Sequence, residues 1–274
     1  MPEMQEEEID LREYINVLLK RKGVIILIFL IAVIAAALVS YFVMPPVYQS
    51  SLIFSIAQID NKPTVNITES LEIIKSDIIL DDVIKKMELK KEISTKELKT
   101  SINTESIKGT NLIRVSVMAD SPERAKNIVE KVVEIFIEQN QDIYQGKIKL
   151  IEDRLKILKK QVAEFEVNIQ EIEETKKKIA NSKELSEAER QFQISLLLSS
   201  SVGERNLYNS LTNQFNSLQA NLENCKDFKI INYAQLPAAP IKPNKKLNIL
   251  IAGVLGLFIG IFVAFFLEFW QKGK

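Results

Sequence analysis

AQLPAAPIKPNKKLNILIAGVLGLFIGIFVAFFLEFW, residues 234–270, is the stretch whose reading decides the fold. Prolines fall at every third position, Pro237, Pro240 and Pro243, and an uncharged apolar run of 19 residues, Ile249–Leu267, follows. An α-helix needs about 20 mainly apolar residues to cross a hydrocarbon core of about 30 Å. The run therefore predicts a membrane span, and everything upstream has to be assigned to one side of a bilayer.

A second run, VIILIFLIAVIAAALVSYFV over Val24–Val43, has 20 residues and no charge. The apolar part of a signal peptide is usually about 7–15 residues and closes on a small-residue cleavage site. This run is longer and ends in Tyr41, Phe42 and Val43, which predicts a retained span. Two spans put both termini on one side of the lipid bilayer. Lys20, Arg21 and Lys22 abut the first span and the next basic residue is Lys62, so the positive-inside rule places the termini in the cytoplasm and the main body outside. Lys242, Lys245 and Lys246 before the second span point the other way. The segment they close is too long for its charges to set orientation, and the first helix decides.

Lys plus Arg and Asp plus Glu number 36 each, which leaves no field suited to nucleic acid. The single cysteine, Cys225, has no partner for an internal disulfide. There is no histidine, and with one cysteine the usual zinc, haem and iron–sulfur ligand sets are missing. No EF-hand-type calcium loop is present. No metal and no cofactor are expected.

Taken in order, the head has Ile9, Leu11, Ile15, Leu18 and Leu19 on one helical face, predicting a short amphipathic helix over Leu11–Lys22 that leads into the membrane, behind an acidic stretch from Glu3 to Glu8. VYQSSLIFSI after Pro46 alternates as a strand does, and a polar loop with Asn61, Pro63 and Asn66 follows. SLEIIKSDIILDDVIKKMEL, Ser70–Leu89, carries Leu71, Ile74, Ile78, Ile79, Val83 and Met87 at three- and four-residue steps and predicts one amphipathic helix. A helical turn over Ser94–Lys99, a strand over Ile102–Ile107, a turn at Lys108–Asn111 and a strand over LIRVSVMA complete this part. Asp120, Ser121, Pro122 and Glu123 then supply a cap, a proline at the first helical position and an acid in the first turn.

A very long helix starts there. Ile151, Leu155, Leu158, Val162, Phe165, Ile169 and Ile172 hold heptad spacing, with a slight bend expected at Gly146. Unbroken from Glu123 to Ala180, the helix would be about 87 Å long. Asn181–Ser186 is the expected far turn, with Ser186 and Glu189 as a capping box. The return helix is expected to be interrupted across Ser199–Gly203 before Leu211, Phe215, Leu218, Leu222 and Cys225 restore the stripe. A last strand, FKIINYAQL, reaches the proline motif.

The expected fold class is a membrane α/β (α+β) protein. Two transmembrane helices flank an extracytoplasmic α/β domain that carries a long protruding antiparallel helical (coiled-coil) hairpin. The expected divisions are a cytoplasmic segment 1–23, a first span 24–43, the first part of a membrane-proximal α/β domain 44–121, the helical hairpin 122–228, the last strand of the α/β domain 229–236, a proline-rich linker 237–246, a second span 247–269 and a cytoplasmic tail 270–274. Heptads on a long exposed hairpin and small residues in a span predict a homo-oligomer.

No enzyme signature is found: no phosphate-binding loop, no G-x-S-x-G elbow, no H-E-x-x-H and no histidine base. No catalytic residue is assigned. Acidic pairs such as Asp81 and Asp82 or Glu173 and Glu174 read as solvated helix faces. Two motifs remain. Gly256 and Gly260, with Gly253 and Ala252 before them, allow close approach of two helix backbones in lipid. Pro237, Pro240 and Pro243 have the three-residue period of a polyproline II helix and read as a stiff spacer ahead of the second span.

EIDLREYINVLLKRKG, GTNLIRVSVMADSPERAKNIV and AQLPAAPIKPNKKLNILIAGVLGLFIG together resemble the bacterial polysaccharide chain-length determinant (Wzz) family, the polysaccharide co-polymerases. The resemblance implies a non-enzymatic inner-membrane protein that assembles into a ring-like homo-oligomer. Such proteins set the modal length of a surface polysaccharide (O-antigen, capsule or exopolysaccharide) together with a membrane polymerase acting on lipid-linked polysaccharide. It also implies, for Pro237, Pro240, Pro243, Gly253, Gly256 and Gly260, a role in span packing and contact with the polymerase. Some relatives carry or activate a cytoplasmic tyrosine kinase. The short tyrosine-free tail after Leu267 argues against a fused kinase and leaves an adaptor to a separately encoded kinase as the alternative.

Overall fold

A computed structural model describes residues 11–89 and 92–272; the acidic stretch Glu3–Glu8 lies outside them. Helix α1 is Leu11–Lys20 and α2 is Lys22–Leu38, which runs on as a π-helical turn over Val39–Val43. Strand β1 is Tyr48–Ser55. The polar loop beyond it holds a small antiparallel ribbon, β2 (Gln58–Ile59) and β3 (Lys62–Pro63), turned through Asp60 and Asn61 at positive φ, as a tight hairpin turn requires. There follow α3 (Ile67–Ile74), α4 (Asp77–Lys86), α5 (Thr95–Ser101), β4 (Ile102–Ser106), β5 (Leu112–Ala119), α6 (Pro122–Ala180), α7 (Glu187–Glu223), β6 (Lys229–Asn232) and α8 (Lys245–Lys272).

The predicted caps hold. Ser121 accepts a hydrogen bond from the Arg124 N–H at 3.3 Å, and Ser186 with Glu189 forms a reciprocal capping box. Several expectations are corrected. The helix expected over Ser70–Leu89 is two, because Ser76 takes an extended conformation as the N-cap of α4; the three- and four-residue apolar steps run across the break and hide it. Asn66 caps the first of the two by accepting from the Thr68 and Glu69 N–H groups at 2.9 and 3.3 Å. The return helix is not interrupted. Ser200 and Ser201 donate their hydroxyls to the carbonyls of Leu197 and Leu198 inside α7, and Gly203 costs only about 1 kcal/mol relative to alanine. The outgoing helix α6 runs unbroken through Gly146, as expected. The last strand ends at Asn232, short of the expected Leu236.

The chain forms two compact units. One takes the chain up to Ser50, Val117–Asn127 and the chain from Gln235 onward; the other takes Ser51–Ser116 and Ile128–Ala234. The strands form a sheet in the order β4-β5-β1-β6, with β1 and β6 antiparallel and a register shift between Ile53 and Phe54. Leu52 and Phe54 of β1 and Ile113 and Val115 of β5 are fully buried at alternate positions, as a half-covered sheet dictates. Phe136 of α6 is fully buried, with its ring 5.6 Å from that of Phe54 and 6.4 Å from that of Phe228. Ile79, Leu80 and Val83 of α4 are buried as well, and each such side chain stabilises the second unit by roughly 1.5–3 kcal/mol.

Beyond the sheet, α6 and α7 make the long antiparallel hairpin. Its 59-residue outgoing helix is roughly 88 Å long at 1.5 Å per residue. Arg205 of α7 bridges to Glu173 of α6 at 2.6 Å. The heptad stripes are only half covered: Leu158 is buried, whereas Leu155, Val162, Phe165, Phe215 and Leu218 are intermediate.

Candidate functional site: the paired spans and their linker

Helices α2 and α8 pack antiparallel, for Gly253, Gly256 and Gly260 meet successively earlier residues of α2. A Cβ built on Gly253 would lie 3.2 Å from the ring of Phe29. One on Gly256 would lie 2.7 Å from the Ala32 Cβ and 3.3 Å from the Phe29 Cα, and one on Gly260 would lie 3.1 Å from the Ile25 Cα and carbonyl oxygen. The three glycines therefore form the face on which the chain's own first apolar helix lies, and at Gly256 any side chain would collide. Close backbone approach is how helices associate in lipid, where apolar burial alone supplies no drive.

Polar contacts close both ends of this seam. At one end the Asn248 side-chain amide donates to Ser40 at 3.0 Å, and the Lys245 ammonium sits 4.0 Å above the Tyr41 ring. At the other end Glu268, with only 9% of its side chain exposed, is held by Lys20 at 2.6 Å and by Arg21 at 3.1 Å. Arg21 also donates to Gln271. A carboxylate at the edge of an apolar helix is tolerated when paired in this way. These end contacts are missed by a reading of motifs alone. The signal is present in the sequence, since Glu268 is the first charge after Ile249–Leu267 and the basic triplet Lys20–Lys22 precedes the other run.

The prolines lie in the linker between β6 and α8. Pro237 and Pro243 are half-buried and Pro240 is exposed, and the chain bends at Ala238 and Ala239 instead of running as one regular polyproline helix. The linker is pinned along the segment that leaves α2. The Val47 N–H donates to the Lys242 carbonyl at 3.1 Å, the Ile241 N–H to the Val47 carbonyl at 2.8 Å, and the Ser50 hydroxyl to the Gln235 carbonyl at 2.8 Å. Asn244 then caps α8 by accepting from the Leu247 N–H at 3.2 Å.

In the second unit, a groove of about 510 Å³ on the hairpin is lined by Arg154, Leu158, Ser210, Asn213, Gln214 and Asn221. Titrating groups respond here to local bonding: the Arg190 side chain, helped by Gln191, holds Glu187 below its ordinary value, and the Ser186 hydroxyl and N–H do the same for Glu189. Lys86 and Glu138 pair at 2.7 Å, which raises the lysine and lowers the acid. Among the described residues no cluster of three His, Cys, Asp or Glu side chains is placed to hold a metal ion.

Two helices long and apolar enough to cross a bilayer, Lys22–Val43 and Lys245–Gln271 with mean hydropathy 3.1 and 2.9, packed through a glycine face, define a two-span membrane protein with an α/β unit and a helical hairpin between the spans in sequence. Residues 7–87 match the family model of Wzz, chain length determinant protein. Residues 193–269 match a second model, a G-rich domain on putative tyrosine kinase. A curated relative, the probable capsular polysaccharide biosynthesis protein YwqC of Bacillus subtilis (strain 168), is 27% identical over 141 residues, 47% of this chain and 56% of the relative. The match thus spans just over half of that relative's length. Among solved structures, a full-length bacterial polysaccharide co-polymerase aligns at 14% identity and TM-score 0.42, covering 97% of this chain and 99% of that one. A fragment of the WzzB polysaccharide co-polymerase from Salmonella Typhimurium aligns at 15% identity and TM-score 0.30, covering 72% and 100%.

Proposed function

We propose that this chain is a non-enzymatic regulator of surface polysaccharide chain length, working as an oligomeric co-polymerase beside a membrane polymerase that extends lipid-linked repeat units. The observation that carries the reading is the chain length determinant match over residues 7–87, which takes in α1, α2, β1, α3 and α4. The name of the curated relative, a capsular polysaccharide biosynthesis protein, supports the same class of product. The protein sits in the bacterial inner membrane with the Lys20–Lys22 ends of the spans in the cytoplasm and the hairpin outside. Homo-oligomerisation is supported by Phe192, Leu196, Val202 and Leu207 on α7 and Leu150 and Val167 on α6, which a single chain leaves between 46% and 71% exposed.

In this reading the glycines act through geometry. Gly253, Gly256 and Gly260 are covered by α2, so a polymerase meets the outer faces of a span pair whose spacing they set. The linker that carries Pro237, Pro240 and Pro243 is held to Val47 through the backbone of Ile241 and Lys242. Deleting the gene and resolving the surface polysaccharide on a gel tests the function. A shifted or broadened length distribution, restored by the intact gene, is expected; an unchanged distribution overturns it.

A second reading, adaptor or activator of a separately encoded cytoplasmic tyrosine kinase in polysaccharide export, draws on the match of residues 193–269 to a domain described on putative tyrosine kinases. That reading expects deletion to abolish polymer altogether and to remove tyrosine phosphorylation of the kinase.

A further inference from the structure

Helix α1 carries apolar side chains that the protein does not cover. Val17 is buried and the Tyr14 ring lies edge-on to Phe265 of α8 at 5.7 Å, so one side of α1 rests on α8. Ile15 and Leu19, on the next side of the same helix, are 55% and 61% exposed. Asn16 and Lys20 occupy the remaining polar side.

The depth of α1 follows from what its two ends touch. Its last residue, Lys20, and the following Arg21 meet Glu268. Phe265 lies one turn earlier on α8, about 4.5 Å further into the apolar span at 1.5 Å per residue. Were α1 a straight continuation of α2, Tyr14 would stand about 10 Å beyond Arg21 on the side away from the bilayer. The ring contact with Phe265 therefore requires α1 to turn back toward α8 instead of continuing along the α2 axis. Side chains cannot make up that distance, because helical side chains lean toward their own N-terminus, which for Tyr14 and Phe265 would carry the two rings further apart. The turn is at Arg21, whose φ of −102° and ψ of 13° leave the helical region. Trp270 on α8, 60% exposed, marks the interfacial level at which such aromatic rings concentrate.

We propose that α1 is not a cytoplasmic lead-in but an interfacial helix, lying across α8 at the boundary of headgroups and acyl chains with Ile15 and Leu19 in contact with phospholipid. The occupant is lipid because α1 adjoins, in the same unit, the apolar helix α2, whose Ile26, Leu27, Leu30 and Ile31 are likewise exposed and which is long enough to cross a bilayer. The proposal rests on α2 and α8 spanning a membrane. The ion pairs of Glu268 then fix the depth of α1 to that of the span pair.

The test uses the full chain in phospholipid vesicles, in a Cys225→Ser background, with single cysteines at positions 15, 16, 19 and 31 carrying a nitroxide. Accessibility to oxygen, which partitions into lipid, is compared with that to a water-soluble nickel chelate. Expected is a several-fold higher oxygen preference at 15 and 19 than at 16, with the sign found at 31. Water accessibility at 15 and 19 alike, or protection from both reagents by a second copy or a soluble protein, overturns the proposal. Water accessibility at 31 overturns the span reading itself. As a less bulky probe, Ile15→Trp in a Trp270→Phe chain should be quenched by lipids brominated near the headgroup, and absence of quenching overturns the proposal equally.

Discussion

Replacing Gly256 by alanine is the smallest change that should separate the two spans. The new Cβ would stand 2.7 Å from the Ala32 Cβ, where carbon atoms at their attractive minimum lie about 3.5–4.0 Å apart. Neither atom sits on a rotatable arm, so the helix backbones must move apart by about 1 Å. Overpacking of this kind typically costs about 1–3 kcal/mol, roughly 5- to 150-fold in the ratio of paired to separated spans. The neighbouring glycines give a ranking. At Gly260 the obstacle is backbone of Ile25 at 3.1 Å, and at Gly253 it is the end of the Phe29 ring at 3.2 Å, which can swing away. The expected order of damage is Gly256→Ala, then Gly260→Ala, then Gly253→Ala. Ala32→Gly in the Gly256→Ala chain removes the collision and leaves Phe29 Cα at 3.3 Å as the nearest atom, so it should restore most of the loss. A cysteine pair at positions 40 and 248, whose native side chains touch at 3.0 Å, reports pairing by its oxidation rate in bilayers once Cys225 is changed to serine. Gly256→Ala that cross-links as fast as the parent, or no rescue by Ala32→Gly, would refute the argument.

Three further outcomes follow from the second unit. Phe136→Ala, which empties the space between Phe54 and Phe228, should destabilise that unit by about 3–5 kcal/mol, read as a lower denaturant midpoint. Gly203→Ala should stabilise α7 by about 0.5–1 kcal/mol, because a Cβ there meets nothing within 4 Å and the helix is continuous; a destabilised variant would argue for a break at Ser199–Gly203. Acid should loosen the far turn of the hairpin. The Glu189 carboxyl is held below its unfolded value of 4.5, so its contribution is present at neutral pH, fades as pH falls past that value and is gone below the lowered folded one. Faster hydrogen exchange of the first turn of α7 near pH 4, absent in Ser186→Ala, is the expected signature.

Both apolar helices are legible in the sequence because an uncharged run of 19 or 20 residues matches the length that a bilayer crossing demands, and few core helices of soluble proteins stay apolar on every face for so long. The capping box of Ser186 and Glu189 is legible too, since a serine three residues before a glutamate is a local rule that tertiary packing seldom overrides. What escapes depends on partners distant in the chain or on bonds that leave no pattern. Apolar periodicity does not show that Ser76 leaves the helix, and a run of serines before Gly203 looks like a breaker only because their hydroxyls' bonds to the preceding turn are invisible in one dimension. The glycine face is legible as a packing surface but not its occupant: the residues that fill it, Ile25, Phe29 and Ala32, lie more than 200 positions away.

The register of the span pair is fixed at three levels, and each excludes a different error. A slide of one helical turn, about 5.4 Å, would take Asn248 away from Ser40 and Glu268 away from Arg21, leaving a carboxylate at the edge of the hydrocarbon without its cations. A rotation of either helix would bring larger side chains to the seam where Gly256 meets Ala32. Separation without slide or rotation is opposed by the linker, because Val47 and Lys242 are joined by backbone hydrogen bonds just outside the apolar segments. Polar ends set position along the axis, the glycines set the facing surfaces, and the proline linker ties the chain that leaves α2 to the chain that enters α8. A partner helix that touched only the outer faces of α2 and α8 would then meet a surface of fixed spacing.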